Sequence, residues 1–474
     1  MPSPPPATAV PTIFPTPTVR PLLSLSVPQQ WLPAAQTAVS AANADPAAGV
    51  TWQISGGETA DVRLQSDGEE GLLVAQTPLV LAVPFTLDWE EVTGEEAQAI
   101  LDLGNEQVTL LPWSELDASR KALRIDGRGP AEPDYPLQET WSLVADPDYR
   151  VALHELLPHL QAAWPQPPVH LLAVGDVMLD RSLGQALQRG DLAYPFVGVA
   201  DQLRAADITV GNLESALGDI GEPAPKRYPF RAPPEAAAAL ELAGFDIVSL
   251  ANNHAMDYGP QALHQAIALL QEANVAAVGA GANAQEAHAP LLIEQGGLTL
   301  AFLSYVNVPV EASSGFDTAV WTATSESPGL AWADPAQIKA DIAGLGEEVD
   351  VTIVMLHSGI EYQAAPGEAQ QEAARTAIDA GADLVIGHHA HILQGIELYG
   401  EGVIIYGTGN FAFEIDGDPA TALFHIWLDR QGVREIRLEP VLIQFGGQPR
   451  LAEPWIAPGI RRTVYALSNL LNGR

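Results

Sequence analysis

The chain has 474 residues, 47% of them apolar, and its 59 acidic against 22 basic side chains give a formal charge of −37. This excludes a disordered chain and argues against a nucleic-acid or anionic-membrane partner, because the sequence is acidic on both sides of a Pro-rich boundary at 164–168. Cysteine is absent, which excludes disulfides and thiolate metal sites and leaves His, Asp, Glu or Asn to hold any metal.

Residues 1–20 read as a Pro/Thr-rich linker, extended and without a packed core. No apolar run of about 18 residues is present, and the start lacks the basic and apolar regions of a signal peptide. The tract is expected to tether an exported, extracellular or cell-surface protein, with its signal or anchor outside this sequence.

Residues 21–165 are expected to form a first, smaller α/β domain. Its pattern predicts helices over 29–42 and 95–103 and strands over 50–54, 72–75, 79–85 and 108–111. The stretches 81–85, 123–127 and 135–137 loosely resemble a periplasmic solute-binding-type fold. Trp52, Phe85, Trp89, Trp113 and Arg124 are candidates for a ligand cleft, although residues of these types more often fill the core and surface.

Trp164-Pro165-Gln166-Pro167-Pro168 blocks helix and ladder alike and marks the boundary. A regular alternation follows. Apolar strands are predicted at 169–174, 208–210, 246–250, 349–356 and 383–386, with helices at 234–243, 261–273, 335–345 and 368–380. Hairpins are expected at 291–306 and 396–406. The tail, 414–474, reads as a β extension of the same domain, closed by a helical turn or two at 462–471.

Five of these strands run into polar groups: Asp176, Asn212 with Glu214, Asn253 with His254, His357, and Gly387-His388-His389-Ala390-His391. Packing asks for apolar strands but not for ligands at each carboxyl end, which is where open α/β folds place their sites. Singly, each residue has a structural reading as a cap, a turn residue or a core histidine. Together they point to a dinuclear metal site. Glu214 is the candidate bridge, Asp176 and His391 complete one ion, and Asn253, His357 and His389 complete the other. His254, one residue from a ligand, is the candidate general acid, and Asp257 its orienting carboxylate. Lys226, Arg227 and Arg231 are candidates to clamp an anionic substrate. Glu361, Tyr362 and Asn410 are candidates to contact it.

The ordered motifs Gly-Asp-Val-Met-Leu-Asp-Arg (175–181), Gly-Asn-Leu-Glu-Ser (211–215), Phe-Arg-Ala-Pro-Pro-Glu (230–235), Ala-Asn-Asn-His-Ala-Met-Asp-Tyr-Gly (251–259), His-Ser-Gly-Ile-Glu-Tyr (357–362), Gly-His-His-Ala-His (387–391) and Gly-Asn-Phe (409–411) resemble the capsule-synthesis CapA family, the poly-γ-glutamate branch of the calcineurin-like metallophosphoesterase superfamily. The resemblance covers 169–413. It implies a β-sandwich flanked by helices with a metal site at its edge, holding divalent ions (Mn, Fe or Zn), two in number. It also implies a hydrolase or transferase in synthesis, attachment or export of an anionic capsule polymer or its phosphorylated precursor, beside membrane-bound synthesis proteins. Met178 stands where the superfamily pattern has His, and Glu214 where it has a bridging Asp. The alternative is therefore a non-catalytic metal-binding scaffold in an export assembly. A third reading gives the lead to 21–165 as a ligand-binding module.

Overall fold

The computed structural model describes residues 20–56, 59–66, 71–414 and 417–473. The linker expected over 1–20 thus lies outside the described residues except for Arg20. The chain divides into two units, Met1–Pro78 with Leu137–Pro165 and Leu79–Pro136 with Gln166–Arg474.

In the first unit the strands run in the order Thr51–Ile54, Leu22–Ser26, Val62–Ser66, Gln138–Ala145 and the first half of Leu72–Pro84. Helices Leu32–Ala44 and Arg150–Ala163 pack with this sheet around Leu25, Ala38, Val62, Leu143 and Leu156. Trp31 stacks on Trp164 at 4.0 Å and meets Trp141 edge-on at 5.4 Å.

Residues 79–136 were expected in this first domain, and the structure places them in the second unit. The reason is long-range. Trp113 Nε1 donates to Glu435 Oε2 at 3.0 Å, Ala122 N donates to Glu435 Oε1 at 3.1 Å, and Arg437 donates to Ala122 O at 2.6 Å. The five residues considered for a ligand cleft accordingly do not share one body. Trp52 is buried in the first unit, and Phe85 and Trp113 are buried in the second.

The second unit holds two large sheets. One runs Ala276–Val278, Ile247–Ser249, Ile208–Leu213, Val169–Val177, Ala420–Asp429, Gly432–Ile443, Pro449–Leu451, with its first four strands parallel. The other runs Leu291–Gln295, Leu298–Asn307, Val351–Ser358, Leu384–His388, Gly402–Ile405, Ile396–Tyr399, with a parallel centre and antiparallel edges. Alternation along each strand divides the apolar side chains between two faces. Leu171, Ala173, Ile208 and Val210 of the first sheet share one core with Leu300, Phe302, Ile353, Met355 and Ile386 of the second. The opposite faces carry helices. Leu172 and Val174 pack with Leu183, Leu240 and Leu263, and Leu303 and Val354 pack with Ile338, Ala374 and Ala377. In the tail, Ala420–Asp429 lies antiparallel to Val169–Val177, and the helix expected as a turn or two at 462–471 runs over Ala457–Leu471.

The strand ends are where the regularity breaks. The register between Val169–Val177 and Ile208–Leu213 shifts between Ala173 and Asp176, an irregularity that re-aims the Asp176 side chain. Helices Arg181–Gln188 and Ala200–Ala205 were not foreseen. The first interrupts its pattern with Gly184, where a Cβ would come within 2.9 Å of Leu179 O.

Candidate metal centre

Parallel register sets the site. Asp176 lies beside Asn212, and Asn212 beside Ser249. In the other sheet His357 lies beside His388. The strand Leu384–His388 ends at the histidine run, and the chain then turns sharply: His389 has φ +83° and His391 φ +58°. Such left-handed conformations in residues with a Cβ cost about 1–3 kcal/mol each and cluster at functional sites. Here they bring two alternate histidines to one point.

Glu214, His389 and His391 form the group able to hold an ion, their ligand atoms lying within 4.8 Å of one another and all three residues buried. Both carboxylate oxygens of Glu214 are buried without a hydrogen-bond partner among the described residues, as is Nδ1 of His389. Buried polar atoms are nearly always satisfied, so three such atoms on facing side chains fit a bound cation. His391 is oriented for the same task. Its Nδ1 donates to Asn410 Oδ1 at 2.9 Å, which turns Nε2 toward Glu214 Oε1 at 3.8 Å.

The other expected ligands surround this group but are engaged with protein. Asp176 accepts from Asn212 Nδ2 at 2.9 Å and from His389 N at 3.2 Å, and it lies 3.2 Å from His388 Nδ1 and 3.4 Å from His391 Nδ1. His357 Nε2 donates to Asn253 Oδ1 at 2.7 Å, while Asn253 Nδ2 donates to Glu311 Oε1 at 3.1 Å. The ligand set proposed for a second ion is thus partly closed on itself. Met178 is fully buried, its N–H donating to Ala412 O at 2.9 Å, and its thioether offers no hard ligand.

The electrostatics follow from burial. It pushes the Glu214 carboxyl well up, and the neighbouring Asp176 charge adds to this. Asp176 moves well below the usual carboxylate range: burial opposes ionisation, but the hydrogen bonds from His388 and His391 outweigh it. Burial, then His391, pushes His389 down to about 3. For His391 burial acts downward, but Glu214 and Asp176 raise it to about 10. At neutral pH His389 is therefore a ready neutral ligand, whereas His391 holds a proton that a metal must displace. Metal binding at neutral pH should therefore release protons and tighten as pH rises. Calorimetric titration in buffers of different ionisation heat measures this, and a binding heat independent of buffer would contradict it.

His254 Nδ1 lies 2.7 Å from Asp257 Oδ2, the contact expected of an orienting carboxylate, and its ring stacks on Phe230 at 4.4 Å. Lys226 departs from its expected role as a substrate clamp. Its ammonium is fully buried, pairs with Asp257 at 2.6 Å and with Glu311, donates to Asn253 O at 2.7 Å, and lies 5.2 Å from the Trp321 ring. It neutralises carboxylates inside the protein rather than at the surface. Arg227 is exposed and Arg231 half-buried. Tyr362 is 60% exposed, and its ring lies 5.9 Å from that of His391. The half-buried Glu361 adds to the upward push on Glu214, His391 and Tyr362. Asn410 is buried and engaged with His391. Asn252 and Glu311 were not singled out in the sequence, and Asn212 and His388 were named there without a ligand role. Asn252 Nδ2 donates to Asn212 Oδ1 at 3.0 Å, and Thr408 Oγ1 lies 3.1 Å from His388 Nδ1, so these residues brace the ligand layer.

Residues 170–415 match the family described as bacterial capsule synthesis protein PGA_cap. The chain is 31% identical over 285 residues to "Capsule biosynthesis protein CapA" of Bacillus anthracis, covering 58% of this chain and 67% of that protein. It is 30% identical over 275 residues to "PGA biosynthesis protein CapA" of Bacillus subtilis, covering 56% and 70%. It is also 33% identical over 224 residues to a Mycobacterium tuberculosis protein named "Probable polyglutamine synthesis accessory protein", covering 45% and 57%. With the ordered motifs at strand ends of both large sheets and the family match spanning them, the chain belongs to the PGA_cap (CapA) family of the metallophosphoesterase-like superfamily.

Proposed function

We propose that this chain is a metal-dependent hydrolase or transferase acting on an anionic capsule polymer of the poly-γ-glutamate type, or on its phosphorylated precursor, during synthesis, attachment or export. The observation that carries the reading is the buried, unpartnered carboxylate of Glu214 facing His389 and His391. The names of the relatives supply the polymer class. We read the location as extracellular or cell-surface, with membrane-bound synthesis proteins as partners. Among the described residues no helix is long and apolar enough to cross a membrane. Fractionation of producing cells tests this, and a purely cytoplasmic signal would contradict it.

Glu214, His389 and His391 would hold a divalent ion, which would supply Lewis acidity for attack of water on a carbonyl or phosphoryl centre. The protein's own groups do the rest. Asn410 fixes the His391 tautomer, and Asp176 anchors the His389 backbone. Asp257 holds Nδ1 of His254, leaving Nε2 to protonate a departing oxygen or nitrogen. Replacing His254 with Ala should lower turnover by about 10²–10⁴-fold with metal content retained. Unchanged turnover would remove His254 from the chemistry.

A second reading, a metal-binding scaffold without turnover, is favoured by Met178 and by the closed Asn253–His357 pair. A metal-loaded protein that turns over neither γ-glutamyl polymers nor phosphoesters would support it.

A further inference from the structure

Basic side chains are scarce in this protein, and in the second unit many are already neutralised: Arg120 by Asp117, Arg204 by Asp201, Arg375 by Glu397, Arg437 by Glu435. Around Phe230 the pattern changes. Arg181, Arg227 and Arg231 have no carboxylate partner among the described residues. Each lies against an aromatic ring instead: Arg181 over Phe230 at 5.2 Å, Arg227 over Tyr228 at 5.0 Å, and Arg231 over Tyr258 at 4.2 Å. A guanidinium held by a ring face keeps its charge and much of its N–H fork for another partner.

The arrangement is tied together from beneath. Asp180 accepts from Arg181 N at 2.7 Å and from Arg231 N at 3.0 Å, joining two distant segments through their backbones and not through their guanidinium groups. Arg181 takes φ +50°, a conformation rare outside glycine, and donates to Glu414 O at 3.1 Å. Arg231 also walls a cavity of about 240 Å3 with Asp180, Gly218, Asp219 and Tyr258. Both acids there are engaged, Asp180 by those backbone N–H groups and Asp219 by Gln265 Nε2 at 2.7 Å.

The patch adjoins the candidate centre. Phe230 stacks on His254 at 4.4 Å and meets Phe413 at 6.2 Å, and Phe413 meets His391 at 5.4 Å. We infer that Arg181, Arg227 and Arg231 form a polyanion subsite that takes the carboxylates of a γ-glutamyl chain beside the bond presented to the metal centre. This rests on the polymer reading above and adds to it the residues that select the substrate. It also explains how a protein of charge −37 holds a polyanion, since local unpaired arginines overcome the general repulsion.

The test is binding of a fluorescent γ-linked oligoglutamate to the full chain by anisotropy, in metal-loaded and metal-stripped protein. The triple variant Arg181→Gln, Arg227→Gln, Arg231→Gln should bind at least about tenfold more weakly with metal content unchanged, and with less dependence on salt. Arg204→Gln, whose arginine is paired with Asp201, should bind as wild type does. Equal affinity in wild type and triple variant, or no binding by wild type, overturns the subsite. Tighter, arginine-dependent binding of inorganic tripolyphosphate overturns the carboxylate assignment in favour of phosphate. If wild type binds the oligomer through these arginines and never cleaves it, the hydrolase reading fails and the subsite stands. If the triple variant cleaves it with unchanged KM, the subsite fails and the hydrolase reading stands.

Discussion

Replacing Glu214 with glutamine is expected to abolish tight divalent-metal binding and to stabilise the metal-free protein at neutral pH. Both oxygens of this carboxylate are buried without a partner, and burial together with Asp176 holds its carboxyl well above the ordinary range. A raised value means that the folded state binds this proton more tightly than the unfolded chain does. Its contribution to stability is complete below the unfolded value, about 4.3, and is lost as pH rises through the folded value. Metal-free wild type should therefore lose stability toward neutral pH, and the glutamine variant should lack that component of the loss. Glutamine cannot ionise and so escapes the burial penalty on the carboxylate charge, and the metal-free variant should melt higher than wild type at pH 7. With metal present the order should reverse, because only wild type gains the binding energy. Thermal melts across pH, with and without chelator, check both parts. A variant that keeps its metal at unchanged affinity would show that Glu214 is not a ligand.

Gly175→Ala and Gly387→Ala should each destabilise the second unit by about 3 kcal/mol or more and disrupt metal binding. A Cβ at Gly175 would sit 2.0 Å from Gly409 O, and one at Gly387 would sit 2.0 Å from Tyr406 O. Both obstacles are backbone atoms, so no rotamer change relieves them. The close approaches also set the ligand layer. Asp176 N donates to Gly409 O at 2.9 Å, Phe411 N donates to Asp176 O at 2.8 Å, and Thr408 N donates to Gly387 O at 3.0 Å. Pushing these segments apart moves Asp176 and the histidine turn together. Gly459→Ala is the control. Its Cβ meets nothing within 4 Å and it lies in the helix Ala457–Leu471, so it should be neutral or stabilising. Denaturant midpoints and metal content distinguish these outcomes. Wild-type stability in both variants would contradict the packing described here.

The parts of the site carried by strand ends were legible in the sequence because two local rules meet there. A buried parallel strand reads as an unbroken apolar run, and its carboxyl end is where polar groups gather. Asp176, Glu214, His357 and the run from Gly387 to His391 all follow that pattern. What stayed hidden depends on partners distant in sequence. Glu311 sits in a loop with no motif, and only folding brings it against Asn253 and Lys226. Lys226 looked like a surface cation beside two arginines, but its buried partners Asp257 and Glu311 reverse that reading. Asp176, Asn253 and His357 have the right chemistry for ligands, yet the structure shows them hydrogen-bonded around the Glu214–His389–His391 group. Residues 79–136 carry ordinary strand patterns, and local pattern does not state which sheet a strand will join. Their contacts with Glu435 and Arg437 decide it.

The most direct test is metal content, by mass spectrometry, of protein purified without chelator, beside the double variant His389→Ala, His391→Ala. His389 and His391 facing Glu214 predict one tightly held equivalent of Mn, Fe or Zn in wild type, with any second equivalent weaker because Asn253 and His357 hold each other. The double variant should retain none while keeping its fold by circular dichroism. Metal retained in the double variant, or none in wild type even after reconstitution, would contradict a metal centre built on Glu214, His389 and His391.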